Sequence, residues 1–241
     1  MSDATPKRTI VVVPSYNERE NLTELVRRVK ALAIPGLQLL IMDDNSPDGT
    51  GALADELAAA DPEFLSVVHR PGKLGLGPAY IHGYGVALER GADYVIQMDA
   101  DFSHPIDKIP ALLAKIPDYD VVVGSRYVAG SSLDDHWGPR RRALSGGGNA
   151  FARLMTGLPM QDVTGGFRCY RRSALQAIDW PRVKSTGFVF QVETAYMAHR
   201  AGARFCEVPI HFADRTAGTS KMSLRIVWEA FWRVWDLRFR P

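Results

Sequence analysis

Cysteine is nearly absent from this chain: Cys169 and Cys206 are its only two in 241 residues, and they belong to no metal-type cluster. That removes zinc-type cysteine chemistry and fits a reduced compartment without requiring one. None of the six histidines sits at a metal-binding spacing. Long apolar runs are missing as well. No stretch approaches the roughly 18 to 20 apolar residues of a spanning helix, and the polar segment from Met1 to Arg8 lacks the apolar core of a secretory signal. The chain is therefore expected not to be integral to a membrane. Nor is there an excess of one charge. A formal balance of +2 is too close to zero to argue for general nucleic-acid binding, so any electrostatic message must be local. Internal repeats and low-complexity linkers are not found.

What is present is 46% hydrophobic content in a chain long enough to bury a substantial core. From Thr9 to about Ser125, short β-branched runs alternate with helical patterns, the rhythm of a mostly parallel sheet covered by helices. Strands are expected at Ile10 to Val13, Leu37 to Met42, Phe64 to His69, Tyr94 to Met98 and Val121 to Gly124. Leu22, Leu25, Val26, Val29 and Leu32 recur at helical spacing after Asn21, an acceptable N-cap, and Asp48 followed by Thr50 starts a second helix in the same way. Past Arg126 the pattern loosens into Gly-rich and basic segments, then a strand-like Arg204 to Phe212, then a long aromatic helix from about Met222.

The apolar run ending at Met98 stops at Asp99-Ala-Asp101. Side chains two apart on a strand point the same way, so two carboxylates are expected at one spot, suited to a hard divalent cation that completes its shell with water and phosphate. In open α/β sheets ligands bind beyond the carboxyl ends of the strands. The first strand is followed there by Pro14-Ser-Tyr16-Asn-Glu18, offering a rigid turn, a ring to stack on a base and a carboxylate; the second is followed by Asp43-Asp44-Asn45-Ser46-Pro47-Asp48-Gly49. Lys73-Leu-Gly75-Leu-Gly77 lacks the context of a dinucleotide fingerprint, so NAD binding is rejected; its glycines allow backbone to pass close to a nucleotide, or form a turn before a helix. Cations come from the second half. Arg141 and Ser145 lie four apart on one helical face as a cradle for a phosphate, and Arg126, Arg168, Arg215 and Lys221 add to them, whereas Arg140 and Arg142 read as solvated. His104 reads as structural or solvent-facing.

The series Val13-Pro-Ser-Tyr-Asn-Glu-Arg-Glu-Asn-Leu22, Met42-Asp-Asp-Asn-Ser-Pro-Asp-Gly-Thr50, Met98-Asp-Ala-Asp-Phe-Ser-His104, Val123-Gly-Ser-Arg126, Thr164-Gly-Gly-Phe-Arg168 and Ser220-Lys221 resembles the dolichyl/polyprenyl-phosphate mannose synthases, inverting members of glycosyltransferase family 2. The likeness runs in order from Ile10 to about Ser223. It implies an α/β chain with the GT-A fold, a Rossmann-like, mostly parallel sheet with flanking helices. It also implies GDP-mannose as donor, a polyprenyl monophosphate as acceptor, inversion at the anomeric carbon, and Mg²⁺ or Mn²⁺. Carried over by position, Pro14, Tyr16, Glu18, Met42, Asp44 and Ala100 would hold the nucleotide sugar, with Asp99 and Asp101 on metal and diphosphate. Ser103 would be a third metal ligand, at a position where some members carry Gln. Arg126, Arg215 and Lys221 would address phosphates, and Arg141 with Ser145 the acceptor phosphate; Asp99, Asp101, Arg215 and Lys221 would stabilise the leaving group. One glycosyltransferase domain is expected over residues 1–241, with a nucleotide-sugar half at 9–125, an acceptor half at 126–221 and an amphipathic helix at 222–241.

That last helix carries Arg225, Glu229, Arg233, Asp236 and Arg240 as a polar stripe, with Trp228, Phe231, Trp232, Trp235 and Phe239 elsewhere around it. Arg215 to Pro241 holds six basic and two acidic residues, a local balance of +4 that favours an anionic membrane surface. The expectation is a protein peripheral on the cytoplasmic face of a membrane, the helix lying in the headgroup region or docked on an integral-membrane partner; packing back onto the sheet is the alternative. Two rivals to the function stay open: transfer from a UDP-sugar, and a non-catalytic scaffold subunit.

Overall fold

A computed structural model describes residues 6–134, 137–187, 189–213 and 224–239, with the helical backbone alone for 224–230. The five expected strands are present as β1 (Thr9–Ser15), β2 (Leu37–Asp43), β3 (Leu65–His69), β4 (Tyr94–Gln97) and β5 (Val121–Ser125), with a short β6 (Ser132–Leu133) after them. Helices α1 (Arg19–Ala31), α2 (Thr50–Ala60) and α3 (Leu76–Glu89) link the first four strands, and α4 (Ile109–Lys115) precedes β5. Both faces of the sheet are covered, which is why its strands read as continuous apolar runs. Along β1 and β2, Ile10, Val12, Leu40 and Met42 enter one core with Tyr80 and Tyr84 of α3. Val11, Val13, Leu39 and Ile41 enter the other with Leu22, Leu25 and Val29 of α1. At α3 the helix backbone presses onto the sheet, because a Cβ on Gly83 would come within 2.4 Å of Val12 Cγ1.

The second half joins the same sheet. It supplies α5 (Pro139–Thr156), β7 (Arg168–Arg171), α6 (Arg172–Ala177), α7 (Val189–Arg200), β8 (Phe205–Pro209), β9 (His211–Phe212) and α8 (Leu224–Phe239). The seven-stranded order is β3-β2-β1-β4-β7-β5-β8, with β7 antiparallel to both β4 and β5 and every other pairing parallel. The expected single strand from Arg204 to Phe212 is two: Ile210 breaks it, and β9 leaves to pair with β6.

Two local expectations need correction. Helix α1 starts at Arg19, not after Asn21. Glu18 takes the N-cap position, and Asn21 lies buried inside the first turn, its amide donating to Glu18 Oε2 at 2.8 Å. Strand β4 ends at Gln97, so the strand alternation invoked for Asp99 and Asp101 does not reach them. No described helix is long and apolar enough to cross a membrane.

Helix α8 packs in part back onto the body of the domain, the alternative named above. Val234 and Leu237 are buried in the core shared with α3 and α7, and Phe231 stacks on Phe151 of α5 with centroids 4.6 Å apart. Trp232, Trp235 and Phe239 stay exposed, at 53%, 43% and 65%.

Candidate active site

The turns after β1 and β2 are stitched to each other, which fixes the first wall of the rim. Asn17 N donates to Ser46 Oγ at 3.1 Å, Glu18 N to Thr50 Oγ1 at 3.0 Å, Arg19 N to Asp48 Oδ2 at 3.3 Å and Asp44 N to Ser15 O at 3.0 Å. Asn17 and Asn45 hold positive φ of 60° and 57°, left-handed positions that Asn tolerates. Asp48 accepts from Thr50 N at 2.9 Å, but it stands one residue before the N-cap of α2, which is Gly49 at φ 85°, so the expected Asp48 cap is displaced. Pro14, Tyr16 and Glu18 are therefore presented half-buried at the carboxyl edge of the sheet.

Behind them, Asp44 is buried in an ion pair with Arg70, itself 5% exposed at the end of β3. Burial pushes the Asp44 carboxyl above its usual range, against the pull of Arg70 and with the push of Asp43. Lys73 places its ammonium 3.9 Å from the centre of the Tyr16 ring. Met42 is otherwise than expected: its side chain is fully buried beside α3, leaving only main-chain groups for any nucleotide. The glycines of the Lys73–Gly77 segment serve the protein's own packing. A Cβ at Gly77 would meet Ser185 O at 2.6 Å and Phe190 at 2.8 Å, and Gly75 has φ +104°.

The loop after β4 carries the acidic pair. Tyr80 Oη donates to Asp99 Oδ1 at 2.7 Å. Its own pKa is driven well above the phenol range by burial and then by Asp99, Tyr84 and Asp101, so the phenol stays a donor and feels both carboxylates. Asp101 Oδ1 accepts from Ser103 N at 3.1 Å and Ser103 Oγ at 2.6 Å, with Phe102 between them at φ 59°. His104 is buried and structural: its Nδ1 accepts from Asp99 N at 3.0 Å and its ring stacks on Phe167. Ala100 is buried at 3% exposure.

These donors fit a hard divalent cation. Among the described residues no hydrogen bond reaches Asp99 Oδ2, and no group of three or more His, Cys, Asp or Glu gathers there. Two carboxylates leaving the rest of the shell to water and phosphate is the pattern such ions accept.

The cations of the second half divide sharply. Arg126 commits two of its guanidinium nitrogens to the protein's own frame. Its Nε and Nη2 each donate at 2.8 Å to the two oxygens of fully buried Asp162, and Nη2 also reaches Thr164 Oγ1 at 2.8 Å. Arg168 is likewise structural, fully buried and donating to the carbonyls of Gln191 at 2.6 Å and Val163 at 2.9 Å. Arg142 is not simply solvated, since it donates to the carbonyls of Trp137 at 2.8 Å and Asp134 at 3.1 Å. On α5, Arg141 lies over the Trp137 ring at 3.9 Å and Ser145 Oγ is 3.0 Å from Tyr127 Oη, one turn further along. Arg140 is exposed. Arg215 and Lys221 lie outside the described residues.

Tyr80, Arg70 and Tyr127 were not singled out from the sequence; Lys73 stood there only as the head of the Gly-rich segment, and Asp162 only as the acid opening Asp162-Val-Thr164-Gly-Gly166-Phe-Arg168.

A mostly parallel sheet with one antiparallel strand beside an acidic loop at its carboxyl edge is the architecture of GT-A glycosyltransferases. Residues 10–179 match glycosyl transferase family 2, and the chain belongs to that family. It is 44% identical over 237 residues to the polyprenol monophosphomannose synthase of Mycolicibacterium smegmatis, covering 97% of this chain and 89% of the relative. It is 43% identical over 235 residues to the undecaprenyl-phosphate mannosyltransferase of Micrococcus luteus, covering 97% and 96%. Its fold is shared with glucosyl-3-phosphoglycerate synthase from Mycobacterium tuberculosis, solved with Mn²⁺, UDP and glucosyl-3-phosphoglycerate. That likeness has TM-score 0.63 at 15% identity, over 96% of this chain and 78% of the other.

Proposed function

We propose that this chain transfers mannose from GDP-mannose to a polyprenyl monophosphate, with inversion, giving polyprenyl-phosphate mannose and GDP. The observation that carries this reading is the likeness to two enzymes named for mannosyl transfer to polyprenyl lipids, each over 97% of this chain and so across the whole rim described above. The acidic loop, the stitched nucleotide wall and the Arg141–Ser145 face supply what the reaction needs. A phosphomonoester with second pKa near 6 is largely a dianion at neutral pH, so the acceptor requires positioning more than deprotonation. No dedicated base is assigned. Asp44, held by Arg70, and Tyr16 bind and orient the nucleotide; Arg141 and Ser145 hold the acceptor phosphate for attack from the face opposite the leaving group. Asp99, fixed by Tyr80, and Asp101, fixed by Ser103, would hold Mg²⁺ or Mn²⁺. Such an ion, when bound, offsets the negative charge that builds on a departing diphosphate.

Trp232, Trp235 and Phe239 on α8 and Leu154 on α5, 82% exposed, form the part of the surface that meets lipid. The chain then works peripherally on the cytoplasmic face of a membrane, where its acceptor presents its phosphate. Turnover of radiolabelled GDP-mannose with a short polyprenyl phosphate, beside UDP-sugars, tests the donor and acceptor. Transfer from UDP-glucose alone would overturn the donor assignment. Liposome flotation with Trp235→Ser tests the surface; full-length protein indifferent to anionic liposomes but captured by an integral-membrane partner would replace the lipid surface with that partner.

A further inference from the structure

Ser145 sits in the second turn of α5. A serine or threonine inside a helix commonly returns its hydroxyl to the carbonyl four residues back. Thr156 does so to Ala152 O at 2.7 Å in this same helix, and Thr194 to Phe190 O at 2.8 Å in α7. Ser145 instead reaches across to Tyr127 Oη at 3.0 Å.

Counting protons makes the pair informative. Two hydroxyls bring two O–H donors, and their mutual bond uses one whichever way it runs. Among the described residues neither oxygen makes another hydrogen bond, so one proton is left to give. Both residues are half-buried, close to solvent yet partly sheltered.

The two hydroxyls also arrive on separately anchored supports. Tyr127 lies two residues past the end of β5; its amide donates to Ser125 Oγ at 3.3 Å, and the Arg126 guanidinium lies 5.3 Å from its ring centre while clamped by Asp162 and Thr164. Ser145 is carried by a helix pinned through Asn149, which accepts from Val163 N at 2.9 Å and donates to Gln161 O at 2.6 Å. Packing of the Tyr127 ring would be served by phenylalanine. Among the described residues the phenolic oxygen has only Ser145, and a bond at a half-buried site with a spare donor is what a third, acceptor-rich group would complete.

We propose that Tyr127 is a ligand of the acceptor phosphate, its hydroxyl and that of Ser145 forming a clamp that gives a hydrogen bond to one phosphate oxygen while Arg141 supplies charge one turn earlier. This rests on the placement of the acceptor phosphate proposed above. Hydrogen bonds to a charged phosphate oxygen are among the stronger ones, so losing one lowers affinity roughly tenfold or more.

The test is direct binding of a short-chain, water-soluble polyprenyl phosphate, followed by calorimetry without donor, for wild type, Tyr127→Phe, Ser145→Ala and the double variant, with initial rates alongside. Tyr127→Phe should weaken binding roughly tenfold or more, raise KM for the lipid phosphate, leave KM for GDP-mannose unchanged and keep the wild-type melting temperature. It should weaken binding further when added to Ser145→Ala. No further loss in that background would mean that Tyr127 only positions Ser145, and equal binding by Tyr127→Phe and wild type would end the proposal outright. Wild type that binds the lipid phosphate without transferring mannose would defeat the functional reading while leaving the Tyr127 comparison decisive. Wild type that does not bind it would overturn both.

Discussion

Asp162→Asn decides whether Arg126 belongs to a phosphate site or to the frame that holds one. Asp162 is fully buried and spends both oxygens: Oδ2 accepts from Arg126 Nε at 2.8 Å and Arg126 N at 3.0 Å, Oδ1 from Arg126 Nη2 and Gly165 N, each at 2.8 Å. Burial alone would raise its pKa, but the hydrogen bonds and charge of Arg126 hold it below the usual carboxylate range. Asparagine keeps the shape, removes the charge and turns an N–H₂ group toward a guanidinium. Breaking a buried pair from one side costs about 3–5 kcal/mol, because the surviving charge stays buried without compensation. In a chain of this size that is a fall in Tm of about 6–20 °C. Urea and thermal unfolding at pH 7 measure it. The sign of the pH dependence follows from the depressed carboxyl: its contribution is present above about pH 4 and is lost as pH falls through the folded value. The asparagine variant should therefore lose less stability than wild type on acidification. An apolar pair, Arg126→Met with Asp162→Leu, should recover much of the loss. A variant within about 1 kcal/mol of wild type, below the range for a broken buried pair, would refute the structural role. So would lost acceptor binding at unchanged Tm, which would restore Arg126 as a phosphate ligand.

The acidic loop should separate chemistry from folding only with the right substitution. Asp99→Asn and Asp101→Asn should abolish transfer and the rise in Tm given by GDP with Mn²⁺ while melting near wild type. Asp99→Ala should also lose about 1–3 kcal/mol, because it orphans the buried Tyr80 hydroxyl; equal melting of the Ala and Asn variants would contradict that. His69 has its pKa raised above 6.5 by its bond to Asp55, against burial and with help from Asp43. Its stabilisation is full below about pH 6.5 and disappears as pH rises through the folded value. With its side chain 50% exposed the effect stays under about 1 kcal/mol, and melts of His69→Gln against wild type from mildly acidic to alkaline pH should converge at the alkaline end. Gly83→Ala should cost about 1–3 kcal/mol by overpacking against Val12; a neutral substitution would show that α3 can lift from β1.

The strands and their order along the chain were legible in the sequence because their signals are local. β-branched residues in short runs, bounded by Asp, Asn, Pro and Gly, specify a buried strand whatever lies elsewhere, and the residues following β1, β2 and β4 were visibly polar. The family likeness was legible for the same reason, since its motifs sit at those strand ends. What the sequence could not decide is which distant side chain meets which. Arg126 reads as a free cation until the fold brings Asp162, 36 residues away, to its Nε and Nη2. Met42 reads as a strand-end contact until α3 closes over it. Tyr127 and Ser145 are 18 apart, one on a strand end and one on a helix, and no spacing rule joins them. Strand β7 carries the alternation of Arg168, Cys169 and Tyr170, yet only tertiary pairing makes it the antiparallel strand between β4 and β5. Periodicity records which face of its own element a residue occupies; partners, and the charge each partner leaves unspent, are set by where the other elements come to rest.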